Sequence, residues 1–504
     1  MDQRWQLAEF TDEEAVGELM KSSSPPAVVP LSQIPSDASK RLLPWVVAVA
    51  FFMESLDTTI LNTAVPAISE ALHVTPLSMK AVLACYTLSL AVFIPVSGWV
   101  ADRFGTRRVF AAAIGLFTLG SFLCGISSNL NALVACRVLQ GMGGSMMVPV
   151  GRMTLVRTFS KAGLLRAMSF VSIPALVAPM LGPIAGGLIV GYLHWRFIFF
   201  VNIPIGLVGL VLVHLYLPDY REEKTHPLDV VGLILFGSGI ALLSYVLEVF
   251  GEHTLSVREI TGLLVLSLSL LAGYWLHAKT LKFPLLQLRL FRIRTFRAAV
   301  GGGLFTRLGI GGVPFLLPLL YQVGLGFTPI ESGLLLMPQA LAAICVNWVI
   351  LRLLARFGYR TVLVTNTIII GVLVILFATI GVHTRIWVIV ALAFLYGAYS
   401  SLQYTSMNTL VYADTTEEET SAANTIFSTV QQMAISFGVA AAGLATAFFI
   451  PEQSQSNPGV MIGGLHKALL SLGILTILST IVFRSLENED GRSVSQQKAL
   501  QPGG

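Results

Sequence analysis

The chain has 504 residues, which in a soluble protein would suggest about three domains. But 55% of it is hydrophobic and only 12% is charged, against about 25% in soluble domains, and the mean hydropathy is +0.77. This composition excludes soluble enzymes, nucleic-acid binders, disordered scaffolds and secreted disulfide domains, and leaves an all-α polytopic membrane protein. The net charge of +5 says little until the charges are placed along the chain.

The first 40 residues are polar and hold no apolar core of a cleavable signal, so the first span is expected to act as the targeting element as well. Thr11, followed by Asp12, Glu13 and Glu14, suits the start of a short helix there, with an unstructured cytoplasmic tail as the equal alternative. A span needs about 20 mostly apolar residues. That ruler predicts fourteen, starting near residues 44, 79, 108, 130, 166, 196, 228, 260, 298, 330, 361, 386, 422 and 462. With the amino terminus inside, 20 Lys and Arg near span ends fall on the inner side. Five fall outside: Lys80, Arg196, Arg258, Arg385 and Lys467. That bias places both termini in the cytoplasm.

An internal repeat organises the spans. Arg103-Phe104-Gly105-Thr106-Arg107 recurs as Arg356-Phe357-Gly358-Tyr359-Arg360, an offset of 253. Gly182 through Gly187-Leu188 recurs as Gly438 through Gly443-Leu444, an offset of 256. Two duplicated bundles of six helices are therefore expected at 42–217 and 298–484, joined by a linker with two inserted transmembrane helices at 218–297. Cytoplasmic tails at 1–41 and 485–504 complete the chain. Repeats of this kind place a substrate site at mid-membrane between two rocking halves.

The motifs resemble those of the major facilitator superfamily, in particular its fourteen-span drug:proton antiporter branch (the EmrB/QacA type). The loop signature reads Gly98-Trp99-Val100-Ala101-Asp102-Arg103-Phe104-Gly105-Thr106-Arg107-Arg108, and the first span reads Leu56-Asp57-Thr58-Thr59-Ile60-Leu61-Asn62-Thr63-Ala64-Val65-Pro66. The fourth span carries Arg137-Val138-Leu139-Gln140-Gly141, the fifth Gly182-Pro183-Ile184-Ala185-Gly186-Gly187, and Trp195 through Asn202-Ile203-Pro204 is also typical of the branch. The resemblance covers roughly residues 40–490. It implies the major facilitator fold, with two six-helix bundles plus the inserted pair, and proton-coupled export across the inner or plasma membrane.

Ionisable residues at membrane depth are costly, by several kcal/mol, and mark candidate sites. Glu54 and Asp57, three residues apart, share a helix face, and two neighbouring carboxyls in a low-dielectric cavity resist ionising together. Both are candidate proton carriers; the alternative for Asp57 is a static hydrogen-bonded tie to a neighbouring span. Span edges put Asp57 and Arg137 within about 5 Å in depth, so Arg137 is the expected partner. The resemblance implies a part for Arg137 in proton coupling; a static ion pair is the alternative.

Arg307 falls near mid-membrane in the ninth span, at the repeat position of Glu54, while Asp57 maps onto Ile310. It suits an anionic substrate, or neutralises Glu54 or Asp57 internally. Amides and one tyrosine in later spans (Gln339, Asn347, Gln403, Tyr404, Asn408, Asn424, Gln431 and Gln432) are available to line a cavity, with Gln403 and Gln432 the chosen candidates.

In the loop motif Gly98, Asp102, Arg103, Gly105, Arg107 and Arg108 are the candidate conformational residues. Asp102 is expected to cap a helix or lock one conformation through an arginine, and Arg107 and Arg108 to attract the lipid leaflet. The second copy has Ala355 in place of Asp102. Gly182, Pro183, Gly186 and Gly187 permit close helix approach, and the resemblance adds a hinge or seal against leak.

Gly141-Met142-Gly143-Gly144 lies inside an apolar span and no Gly-Lys-Ser/Thr follows, so neither ATP nor any other cofactor is expected. The isolated His and four isolated Cys carry no metal or catalytic constellation, and an enzyme is not expected. A small-molecule substrate, protons and the bilayer are the expected partners, and nucleic acid is not; a periplasmic adaptor is left open. The leading expectation is export of amphiphilic drugs or toxic compounds by alternating-access proton antiport. The runner-up is export of an endogenous anion such as citrate or a siderophore, motivated by Arg307.

Overall fold

The computed structural model describes residues 37–222, 225–250, 255–416, 418–450 and 458–491. The residues expected to cap a helix near Thr11, most of both tails and the Asn347 side chain lie outside this description.

Lipid offers no partner to backbone amides, so spanning segments satisfy their hydrogen bonds internally, and helices form wherever apolar runs are long enough. Among the described residues fourteen helices qualify. The first seven are α1 (Lys40–Ala71), α2 (Pro76–Phe104), α3 (Thr106–Ile126), α4 (Leu130–Thr158), α5 (Arg166–Tyr192), α6 (Phe197–Tyr216) and α7 (Val230–Val249). Then follow α8 (Val257–Thr280), α9 (Arg294–Gly324), α10 (Pro329–Phe357), α11 (Tyr359–Phe377), α12 (Ile386–Leu410), α13 (Thr420–Phe449) and α14 (Gly459–Phe483). Each expected start lies within four residues of the observed one. Because the number of spans is even, the first starts and the last ends on one face, here termed the tail side; the opposite face is the far side.

The repeat is visible in the packing. α1 packs on α5, α2 on α4, and α3 on α4 and α6; in the second half α9 packs on α13, α10 on α12, and α11 on α12 and α14. The bundles meet along two related seams, α2 against α13 and α5 against α10. α1 is interrupted after Ile60 by a 3-10 turn, and α9 is interrupted after Ile310, 250 residues later.

The inserted pair α7 and α8 pack on each other, and α7 rests on α2 and α13. Asp229 ties this pair together. It caps α7 by accepting from the Gly232 amide, and it accepts from the Leu285 amide and meets His277 Nε2 at 2.8 Å. Burial disfavours its ionised form, but these hydrogen bonds more than offset that and hold its carboxyl below the usual range.

Candidate functional site

The most buried charges in the membrane interior form one network. Asp57 on α1 and Arg137 on α4 are each 1% exposed, and Arg137 Nη1 donates to Asp57 Oδ2 at 2.5 Å. Spacing on α4 places Gln140 one turn from Arg137, where it accepts from Nη1 at 2.7 Å and donates to Asp57 Oδ1 at 2.8 Å. From α6, Asn202 donates to the same Oδ1 at 3.0 Å and to Ser121 of α3 at 3.1 Å. The guanidinium lies over the Tyr86 ring of α2, 4.1 Å from its centroid. Asp57 thus accepts three hydrogen bonds from two other helices, and the pair is neutral as a unit, which is how charges persist at this depth.

Glu54, one turn toward the tail side, is outside this network. It lines a cavity of about 500 Å³ between the bundles, walled by α1, α2 and α4 on one side and α12 and α13 on the other. Its Oε2 is buried without a hydrogen-bond partner. Ser145 and Arg152 of α4 share the lining, with Asn408, Asn424, Gln431 and Gln432 opposite. The lining extends to Tyr412, beyond the tail-side end of α12, so the cavity runs from mid-membrane toward the tail side.

Gln432 therefore occupies the expected place, whereas Gln403 does not. Gln403 is fully buried inside the second bundle, where it accepts from Asn366 and donates to Thr367, both on α11. Arg307 is also absent from this cavity's lining. It is 2% exposed, stacks on Tyr404 at 4.6 Å and on Phe427 at 5.9 Å, and has no ion pair with Glu54 or Asp57 among the described residues. The internal neutralisation of Glu54 or Asp57 is not formed here; Tyr404 and Phe427 of its own bundle hold the guanidinium instead. Arg152 was not singled out from sequence, since it lies close to the basic tail-side end of α4.

The loop motif is held by a segment that the sequence did not point to, Leu217–Glu222 beyond α6. Asp102 accepts from Arg157 of α4 at 2.7 Å, and Arg157 also reaches Glu222. Thr106 donates to the Pro218 carbonyl, and the Arg107 amide donates to Asp219. Of the two readings for Arg107, a conformational part in the loop or attraction to the leaflet, the contact seen is within the loop: its Nε donates to the Leu217 carbonyl, while Arg103 and Arg108 are exposed. Gly105 turns the chain with φ +97°, and a Cβ there would collide with Asp219. Gly98 meets no such obstacle. In the second copy Gly358 turns likewise (φ +75°), and Arg360 reaches Asn488 while Arg294 pairs with Glu487 and Asp490. Asn488 and Asp490, after the last span, thus lie against the second copy of the loop.

Asp102 and Arg157 are partly exposed, so breaking the pair is expected to cost less than about 1 kcal/mol of stability. Asp102→Asn and Arg157→Ala are each expected to slow substrate flux, and the double variant to slow it no further. Additive losses in a flux assay would mean that the two act separately.

On the far side, Gly182 and Gly186 let α5 press on α1 at Thr59 and Ile60. Gly187 faces the other bundle: a Cβ there would stand 2.5 Å from the Pro329 carbonyl oxygen of α10, and Gly333 of α10 in turn faces the Pro183 carbonyl. The α2–α13 seam has Ser436 donating to the Ala84 carbonyl, with Gly443 against Lys80. Gln322 of α9 donates to the Thr63 carbonyl of α1. The bundles are therefore closed together on the far side and apart around the cavity on the tail side.

Comparison with known proteins agrees with this architecture. A sequence profile described as Major Facilitator Superfamily matches residues 47–439. The curated protein "Putative multidrug resistance protein MdtD" of Serratia proteamaculans is 39% identical over 439 residues, 87% of this chain and 92% of that one. Its namesake from Escherichia coli strain K12 / DH10B is 38% identical over 457 residues, 91% and 97% of the two chains. Among solved structures, a POT family transporter in complex with a thioalcohol-conjugated peptide aligns with TM-score 0.65 at 15% identity, covering 91% of this chain and 96% of that one. An inward-facing, unoccupied bacterial homologue of the human lysosomal transporter Spinster aligns with TM-score 0.62 at 13% identity, covering 93% and 100%. These two share the fold. The multi-pass architecture, the repeated bundles and the profile together establish that the chain belongs to the Major Facilitator Superfamily.

Proposed function

We propose that the protein is a proton-coupled exporter of amphiphilic compounds, working by alternating access in the inner (plasma) membrane with both termini cytoplasmic. The observation that carries this reading is the Asp57–Arg137 pair, buried at 1% exposure each, one helical turn from a polar cavity that runs toward the tail side. Substrate enters that cavity from the cytoplasm and rests between Glu54 and the amides of α12 and α13. A proton reaching Asp57 from the far side neutralises it and frees Arg137, which weakens the ties among α1, α4 and α6. Its release to the cytoplasm re-forms the pair and resets the cycle. The name carried by the relatives, multidrug resistance, supports a drug-like substrate.

A second reading, export of an anionic metabolite, draws support from Arg152 in the cavity and from Arg307, which has no acidic partner among the described residues. Flux in proteoliposomes under an imposed pH gradient separates the two. Gradient-driven movement of a cationic dye, lost in Glu54→Gln and retained in Arg307→Ala, is the expected outcome. Movement of citrate that needs Arg307 or Arg152, without dye movement, would establish the anion reading instead.

A further inference from the structure

A second pocket, of about 540 Å³, lies at the tail-side end of α8, where the chain turns through the short helix Leu288–Arg292 into α9. Four cations line it, Lys279, Lys282, Arg289 and Arg292, and no acid does. All four are exposed. Glu419 approaches only Arg289, at 3.8 Å, and that side chain remains 67% exposed. The remaining wall is apolar: Trp275 and Phe283 are half exposed, Lys279 Nζ lies 3.1 Å from the Trp275 ring centroid, and Lys282 stacks more loosely on Phe283. Gln287, also in the lining, has a buried Oε1 without a partner.

Four like charges around one space repel one another unless an anion neutralises them. A small soluble anion would not require the aromatic wall. That wall continues onto α8, the least buried of the fourteen spans, whose exposed side faces lipid. Cations at the membrane boundary beside an apolar, lipid-facing surface suit a ligand anionic at one end and apolar at the other.

We propose that this pocket binds the headgroup of an anionic glycerophospholipid from the tail-side leaflet. The phosphate sits among Lys279, Lys282 and Arg292, a headgroup hydroxyl donates to Gln287 Oε1, and the acyl chains run along α8 past Trp275. The site is separate from the central cavity and does not depend on the transport reading.

The test is native mass spectrometry of the full chain in detergent, titrated with phosphatidylglycerol or phosphatidylcholine. The variant Lys279→Gln/Lys282→Gln/Arg292→Gln is compared with Lys40→Gln/Arg356→Gln/Arg484→Gln, which removes three exposed charges from the same face outside the pocket. Each pocket cation is worth roughly fivefold in binding, so the first variant is expected to lose roughly a hundredfold in phosphatidylglycerol affinity. Wild type and the second variant are expected to hold one phosphatidylglycerol in preference to phosphatidylcholine. Equal retention in the pocket variant, or an equal loss in the control, would overturn the proposal, the latter pointing to diffuse leaflet attraction. Displacement of the lipid by millimolar inorganic phosphate would make it a plain anion site and overturn it too. If the triple variant does not fold, Arg292→Gln alone is expected to weaken retention roughly fivefold, and no change there would equally refute the site.

Discussion

Replacing Asp57 with Asn is expected to abolish gradient-driven flux and to destabilise the protein at the same time. Asn keeps the shape of a protonated Asp57 but cannot release a proton, so a carrier there stops working. It also leaves Arg137, 1% exposed, without its counter-charge, and removing one partner of a buried pair costs about 3–5 kcal/mol. These two effects must be separated, because an unfolded transporter also fails to transport. The double variant Asp57→Asn/Arg137→Gln removes both charges and leaves Gln140, Asn202 and Ser121 to satisfy the amides. It is expected to recover most of the lost thermal stability in detergent while remaining unable to couple flux to the gradient. A double variant that regains proton-dependent flux would reduce the pair to a static tie between α1 and α4.

Filling the far-side seam is the second change with a large expected effect. Gly187→Val puts side-chain atoms where the Pro329 carbonyl now lies, and the obstacle is backbone that cannot turn aside. Overpacking of this kind costs about 1–3 kcal/mol, charged only to the state in which α5 and α10 touch. The balance between closed and open seam should shift by roughly 5- to 150-fold. Ser332, fully buried beside this contact, reports the change once it is replaced by Cys in a background lacking Cys85, Cys124, Cys136 and Cys345. Labelling by a membrane-impermeant thiol reagent from the far side is expected to accelerate by the same factor in Gly187→Val, and flux to fall. Unchanged labelling would mean that Gly187 serves packing within one state and does not hold a seal.

How much could be read in advance differs between fold and site. Apolar length and the scarcity of charge leave helices as the only way to satisfy the backbone in lipid, so the starts of the fourteen spans were legible to within four residues. Asp57 and Arg137 stood out because charge at that depth is expensive enough to need a reason, and equal depth suggested that they meet. Gln140 and Asn202 lay inside quoted motifs, yet their part in the network was not assigned, because an amide costs less to bury than a charge and so attracts less notice.

The sequence alone therefore decides that this chain crosses a membrane many times, roughly where, and which few charges must be reconciled inside. Hydropathy and charge are sums over neighbouring residues, and the bilayer acts on those sums. Which way each side chain faces is another matter. Gln403 and Gln432 are the same residue type in spans of similar hydropathy, yet one is buried against α11 and the other lines the cavity. The bracing of the Asp102 loop by Leu217–Glu222 and the separation of Arg307 from Glu54 likewise depend on the rotation and tilt of whole helices. Packing between segments more than a hundred residues apart sets those, and only the tertiary structure decides it.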